Sequence, residues 1–138
     1  MIRIILSFVL ILISFSFFAQ NKNTTKINVS VNNMTTNKGF VAFQLFEEDG
    51  FLKTPIQTIK GRITDGKTAI TFKNVINGTY SIVCFHDVNE NGKIDFNQQG
   101  IPLEDIGATN SKIMFGPPSF EKSKFTVNKQ DLYLTIKF

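Results

Sequence analysis

The sequence predicts an all-β fold, an immunoglobulin-like or transthyretin-like β-sandwich of about seven strands with one long loop after the central strand. Three observations lead there. Apolar residues recur with period two rather than 3.6, the apolar runs are filled by β-branched and aromatic residues, and turn-forming residues separate the runs at short intervals. No window carries the apolar stripe of an amphipathic helix.

The chain opens Met1-Ile2-Arg3, continues as a nearly unbroken apolar run from Ile4 to Phe18, and then reads Ala19-Gln20-Asn21. One positive charge, a short apolar core and a small residue at its end form the three-part pattern of a secretory leader. The run is shorter than the roughly 20 apolar residues a spanning helix wants. Residues 1–20 therefore read as a signal peptide cleaved near Ala19 or Gln20, leaving no membrane span, and 21–138 as a single exported domain, periplasmic or extracellular. No cysteine follows the run to take a lipid anchor.

Within 21–138, Ile27, Val29 and Val31 alternate with polar neighbours, and Phe40–Phe46 is a richer run. Ala69–Phe72 is short, Tyr80–Phe85 is continuously apolar apart from Ser81, and Phe125–Val127 and Leu132–Phe138 close the chain. Asn37-Lys38-Gly39, Glu48-Asp49-Gly50, Asp65-Gly66, Asn77-Gly78 and Asn128-Lys129 are the turn signals between them. A small barrel is the competing architecture.

Composition excludes some function classes. Of 15 Lys and Arg, 14 remain once Arg3 is removed with the leader, against 11 Asp and Glu. The lysines are scattered without aromatic interleaving, so no nucleic-acid face is indicated. Cys84 is the only cysteine, so no disulfide can form within the chain, and its apolar surroundings mark it as a buried, inert thiol. Stability has to come from the core or from a bound metal.

The stretch richest in chemistry follows the Tyr80–Phe85 run. Counting Asp87 as position 1, side-chain oxygens fall at positions 1, 3 and 5 (Asp87, Asn89, Asn91), glycine at 6 (Gly92), a backbone carbonyl at 7 (Lys93) and a carboxylate at 9 (Asp95). This is the ligand spacing of an EF-hand-type calcium loop, in which a hard cation is wrapped by alternate oxygens and glycine permits the sharp turn. Ile94, at position 8, would point inward. Position 12 carries Gln98 in place of the bidentate Glu, and a strand rather than a helix leads in. Glu104 or Asp105, folded back by the Gly100-Ile101-Pro102 turn, can supply the replacement carboxylate, and Glu104 is the one taken into the ligand set. The candidate metal ligands are thus Asp87, Asn89, Asn91, Lys93, Asp95 and Glu104, and the candidate ion is calcium (Ca2+). The competing reading is a metal-free polar turn, since Asp, Asn and Gly are what any tight loop favours. His86, the only histidine, reads as a structural residue hydrogen-bonded to the loop backbone; no motif supplies a partner for a triad.

His86-Asp87-X-Asn89-X-Asn91-Gly92-X-X-Asp95, Gly100-Ile101-Pro102-X-Glu104, Gly107 and Gly116-Pro117-Pro118-Ser119-Phe120, with Gly78-Thr79-Tyr80 upstream, resemble a family of exported bacterial domains known as a domain of unknown function. The chain departs from it at Gly107-Ala108-Thr109-Asn110, where a Gly-Phe-Ser-Asn type segment is expected. The resemblance implies a β-sandwich-like domain and no established activity. Three functions compete: a calcium-stabilised, non-enzymatic module that binds a protein partner or a glycan, a hydrolase using Asp87 or Asp95 with Glu104, and a structural envelope subunit pairing through exposed strand edges.

Overall fold

The computed structural model describes residues 24–111 and 116–138; the expected leader, 1–20, and its cleavage point lie outside them. Eight strands follow in order: β1 Thr24–Val31, β2 Phe40–Phe46, β3 Gln57–Arg62, β4 Thr68–Ile76, β5 Gly78–Asp87, β6 Ile106–Ala108, β7 Phe125–Val127 and β8 Leu132–Ile136. A single helical turn, Phe120–Ser123, precedes β7. The chain is nearly all-β, built as two sheets.

The period-two pattern of β1 is realised directly. Ile27, Val29 and Val31 are buried while Lys26, Asn28 and Ser30 are not. β1 is the middle strand of a three-stranded sheet ordered β4-β1-β8, antiparallel to β4 and parallel to β8. The second sheet runs β3-β2-β5-β6, and β7 pairs with the start of β5. Inward residues of both sheets meet in one core: Ile27, Val29, Phe72 and Ile136 from the first, Val41, Phe43, Leu45, Ile82 and Cys84 from the second.

β5 explains its own continuous apolar run, because both of its faces are covered. Tyr80, Ile82 and Cys84 face the main core. On the other face Val83 packs with Phe46, Ala108 and Phe51, and Phe85 packs with Phe40, Ala42 and Ile94. Every residue from Tyr80 to Asp87 is buried as a result. A strand dry on both sides loses the polar alternation of a half-exposed one.

Two elements were not anticipated. β3 (Gln-Thr-Ile-Lys-Gly-Arg) is an edge strand with few apolar residues, and Lys60 lies 4.1 Å from the centre of the Phe40 ring. β6 has only three residues and interrupts what reads in sequence as one long loop. Its Gly107 is required by space: a Cβ there would sit 2.5 Å from Ile136 Cγ2. The turn signals also divide. Asp65-Gly66 makes a two-residue hairpin turn with φ of 51° and 69°, closed by Thr64 and Lys67 bonding each other in both directions. Asn77-Gly78 instead carries the chain from one sheet to the other, steadied by the Tyr80 hydroxyl donating to the Ile76 carbonyl (3.0 Å) and by Lys129 N–H donating to Asn77 Oδ1 (2.9 Å).

The helical turn seals the outer face of β5. Ser119 caps it by accepting from Lys122 N–H, and Phe120 packs edge-on against Phe51, which packs edge-on against Phe46. Beneath it the Ser81 and Ser123 hydroxyls share a 2.6 Å hydrogen bond, and the Thr109 hydroxyl donates to the Ser123 carbonyl. No helix among the described residues is long and apolar enough to cross a membrane.

Cys84 sits fully buried on β5, and burial pushes its thiol far above its ordinary range. In native buffer at pH 8 a thiol reagent such as dithionitrobenzoate is expected to leave Cys84 unmodified for hours, and to react stoichiometrically once urea unfolds the chain. Rapid reaction of the folded protein contradicts the inert assignment.

Candidate functional site

The loop begins where β5 ends, and that strand is why its first residue is buried. Pairing with β2 carries His86 opposite Val41 and Asp87 opposite Phe40. The carbonyl of Asp87 is pressed against the β1–β2 connection, where Gly39 has φ of 72° and a Cβ would fall 2.0 Å from it. His86 serves the same junction: its Nε2 lies 2.8 Å from the Lys38 carbonyl, which fixes the proton on Nε2. It braces the neighbouring connection, so the expectation that it hydrogen-bonds the backbone of the Asp87–Asp95 loop is corrected; its backbone N–H donates to the Asp105 carbonyl, beyond that loop.

Asp87 is 0 % exposed. Its Oδ1 accepts from Asn91 N–H (3.1 Å) and its Oδ2 from Gly92 N–H (2.7 Å), so the carboxylate holds the far side of the turn to the strand end. A buried charge left unsatisfied is severely destabilising, and these two charge-assisted bonds offset part of that cost. No cationic side chain offsets the rest among the described residues, where the one salt bridge is Lys124–Glu121 at the surface. The turn is made by Glu90 and Gly92, both with positive φ (61° and 81°). Around Gly92 a Cβ would meet nothing within 4 Å, so its requirement is dihedral rather than spatial.

Asp95 collects the other side chains of the loop. Asn89 Nδ2 donates to its Oδ2 (2.7 Å), and Asn91 Nδ2 reaches both of its oxygens (3.0 and 2.9 Å). The amide oxygens of Asn89 and Asn91 accept from the N–H groups of Asn91 and Lys93. The Lys93 side chain is exposed. Ile94 packs under the loop against Phe85, Phe40 and Ala42, as position 8 predicts.

Glu104 does fold back. Its two oxygens accept from Val88 N–H (3.3 Å) and Asp95 N–H (3.2 Å), bridging the first and last residues of the turn. The segment between them is a short tongue in which Phe96 pairs with Pro102 and Leu103 N–H donates to the Asp95 carbonyl (2.8 Å). All six predicted ligand residues thus belong to one closed loop. Among the described residues, however, no three His, Cys, Asp or Glu side chains form a ready-made metal-holding group. Asp95 and Glu104 are turned to N–H donors, and the amides of Asn89 and Asn91 present nitrogen rather than oxygen to Asp95.

Comparison with known families decides the affiliation. Residues 29–134 match the family model described as "Uncharacterized protein conserved in bacteria (DUF2141)". The chain belongs to this family. Neither a curated protein nor a solved structure matches it. In this DUF2141 domain, several residues of the sequence pattern have packing roles: Gly107 admits the C-terminal strand, and Ser119-Phe120 cap and plug the outer face of β5. Ala108 is buried against Val83 and Phe46 at the place where an aromatic residue was expected. Sequence reading missed Gly39 and Lys38, which brace the start of the loop from 48 residues upstream of His86; the Lys38-Gly39 turn signal was visible, its partner was not.

In chelator, Asp87→Ala should lower unfolding free energy by about 2–3 kcal/mol, the loss of two hydrogen bonds to a charged acceptor. Asn89→Ala should cost about 0.5 kcal/mol, as for an exposed side chain, and Gly92→Ala about 1–2 kcal/mol through its dihedral alone. Urea denaturation of the three variants checks the ranking.

Proposed function

We propose that this domain is a non-enzymatic module of the bacterial envelope or exterior, stabilised by calcium at the Asp87–Asp95 loop, that presents its ordered loops to a protein partner or a glycan. The observation that carries the metal reading is Asp87: a carboxylate with no exposed surface and, among the described residues, no ion-pair partner, at the root of a loop where Asp95, Asn89 and Asn91 converge and Glu104 closes the ring. A divalent cation supplies the missing positive charge. Amide nitrogen and oxygen exchange places by rotation about the last side-chain bond, so Asn89 and Asn91, whose N–H groups now donate to Asp95, can turn oxygen toward an ion held there. With Asp87, the Lys93 carbonyl, Asp95 and Glu104 they offer six oxygen-bearing groups, within the six to eight ligands calcium takes.

Export rests on the apolar leader run Ile4–Phe18, and the immunoglobulin-like or transthyretin-like classification on two sheets sharing one core. The hydrolase reading needs an accessible carboxylate pair; Asp87 is buried and bonded through both oxygens to backbone, which disfavours it there, while the half-buried Asp95 and Glu104 are engaged by Asn89, Asn91 and backbone N–H groups. A structural subunit without metal stays the alternative if the ion does not bind.

Calorimetric titration of chelator-stripped protein with calcium, with thermal melts alongside, tests the proposal. Saturable binding in the 0.1–1 mM range common to extracellular modules is expected, with stabilisation of about 2.7 kcal/mol at a hundredfold excess over Kd. Glu104→Gln should weaken calcium binding by removing one ligand charge, and should lower the apo melting temperature modestly because only one of its two bonds to backbone N–H survives. Absence of heat and of any melting shift at 10 mM calcium overturns the metal reading.

A further inference from the structure

Nine large apolar side chains are exposed among the described residues, and four of them, Val88, Phe96, Ile101 and Leu103, fall in one short segment around the loop. Three sit on the tongue, where Phe96 is 56 % exposed, Ile101 59 % and Leu103 68 %. The tongue is rigid. Besides the Phe96–Pro102 pairing, Asn97 N–H donates to the Ile101 carbonyl, and Asn97 Oδ1 accepts from both Gln99 and Ile101 N–H at 2.9 Å. The N–H groups of Asn97, Gln99, Gly100, Ile101 and Leu103 are therefore satisfied within the tongue and at its base.

The arrangement of these residues favours one occupant. Paired residues of a β-bridge share a face and their neighbours take the other, so Phe96 and Pro102 stand on one side of the tongue, Ile101 and Leu103 on the opposite side. A protein groove would cover one side only. A medium that surrounds the tongue covers both. The eight residues Phe96-Asn97-Gln98-Gln99-Gly100-Ile101-Pro102-Leu103 include no charged side chain, so insertion desolvates no charge. The base of the tongue is acidic, flanked by Asp95 on one side and Glu104 and Asp105 on the other. Acidic groups at that depth complement the ammonium groups of zwitterionic headgroups and oppose anionic ones.

We propose that the Phe96–Leu103 tongue docks into the interfacial region of a zwitterionic lipid bilayer, placing Phe96, Ile101 and Leu103 among the acyl-chain boundaries. The docking does not require calcium, and it stands or falls separately from the metal reading. The chain contains no tryptophan, so Phe96→Trp gives a single fluorescent reporter at the insertion point. Mixed with vesicles of phosphatidylcholine and phosphatidylethanolamine in chelator, this variant should show a blue-shifted emission that saturates with lipid. Adding Ile101→Ser and Leu103→Ser should weaken partitioning at least about tenfold, the scale set by losing two apolar side chains, with an unchanged thermal melt because both are exposed. Phosphatidylglycerol in the vesicles should weaken binding in chelator. Partitioning unaffected by the double substitution, binding to anionic vesicles alone, or no shift at millimolar lipid each overturns the proposal. So does self-association through the tongue, seen in sedimentation and abolished by the double substitution without any lipid binding.

Discussion

The loop depends on a charge placed where charge is expensive. Asp87 reaches the interior because β5 is buried on both faces to its last residue and the Lys38–Gly39 connection closes over its end. Once there, the carboxylate requires donors, and the nearest are the N–H groups of its own following turn. That requirement bends the chain back at Glu90 and Gly92, brings Asn89 and Asn91 beside Asp95, and leaves Val88 and Asp95 N–H groups for Glu104 to bridge. The order of the segment is a consequence of one desolvated carboxylate rather than of a regular element.

The packing around the loop holds the support for that carboxylate in place. Ile94 and Phe85 tie the turn to the sheet, while Phe120, Phe51 and Phe46 form an edge-to-face series that keeps the neighbouring surface of β5 dry. Beneath it the Ser81 and Ser123 hydroxyls bond each other, and the Thr109 hydroxyl donates to the Ser123 carbonyl. With no disulfide available within the chain, this outer layer supplies part of the cohesion that a small domain needs.

Much of the fold was legible, for reasons that differ by element. β1 and β2 follow from period two and from a dense β-branched and aromatic run. β3 escaped notice because an edge strand half in water carries little apolar signal, and β6 because three residues are too few for any period. Asn77-Gly78 reads as a hairpin turn by composition, yet whether a turn pairs its flanking strands or crosses between sheets is set by long-range packing. In the loop, the positions of Asp87, Asn91, Gly92 and Ile94 and the return of Glu104 were readable from spacing alone. The orientation of the amides and the identity of the His86 partner were not, since both depend on groups brought together only by folding.

Amide hydrogen exchange of the metal-free protein, followed residue by residue by NMR, tests the dependence on Asp87 most directly. If the buried carboxylate holds the turn, the N–H groups of Asn91 and Gly92 exchange far more slowly than those of exposed Asn89 and Glu90, and Asp87→Asn restores fast exchange at both positions while β5 stays protected. Fast exchange of Asn91 and Gly92 in the unaltered protein contradicts it, and would mean that the turn is held by something other than this carboxylate.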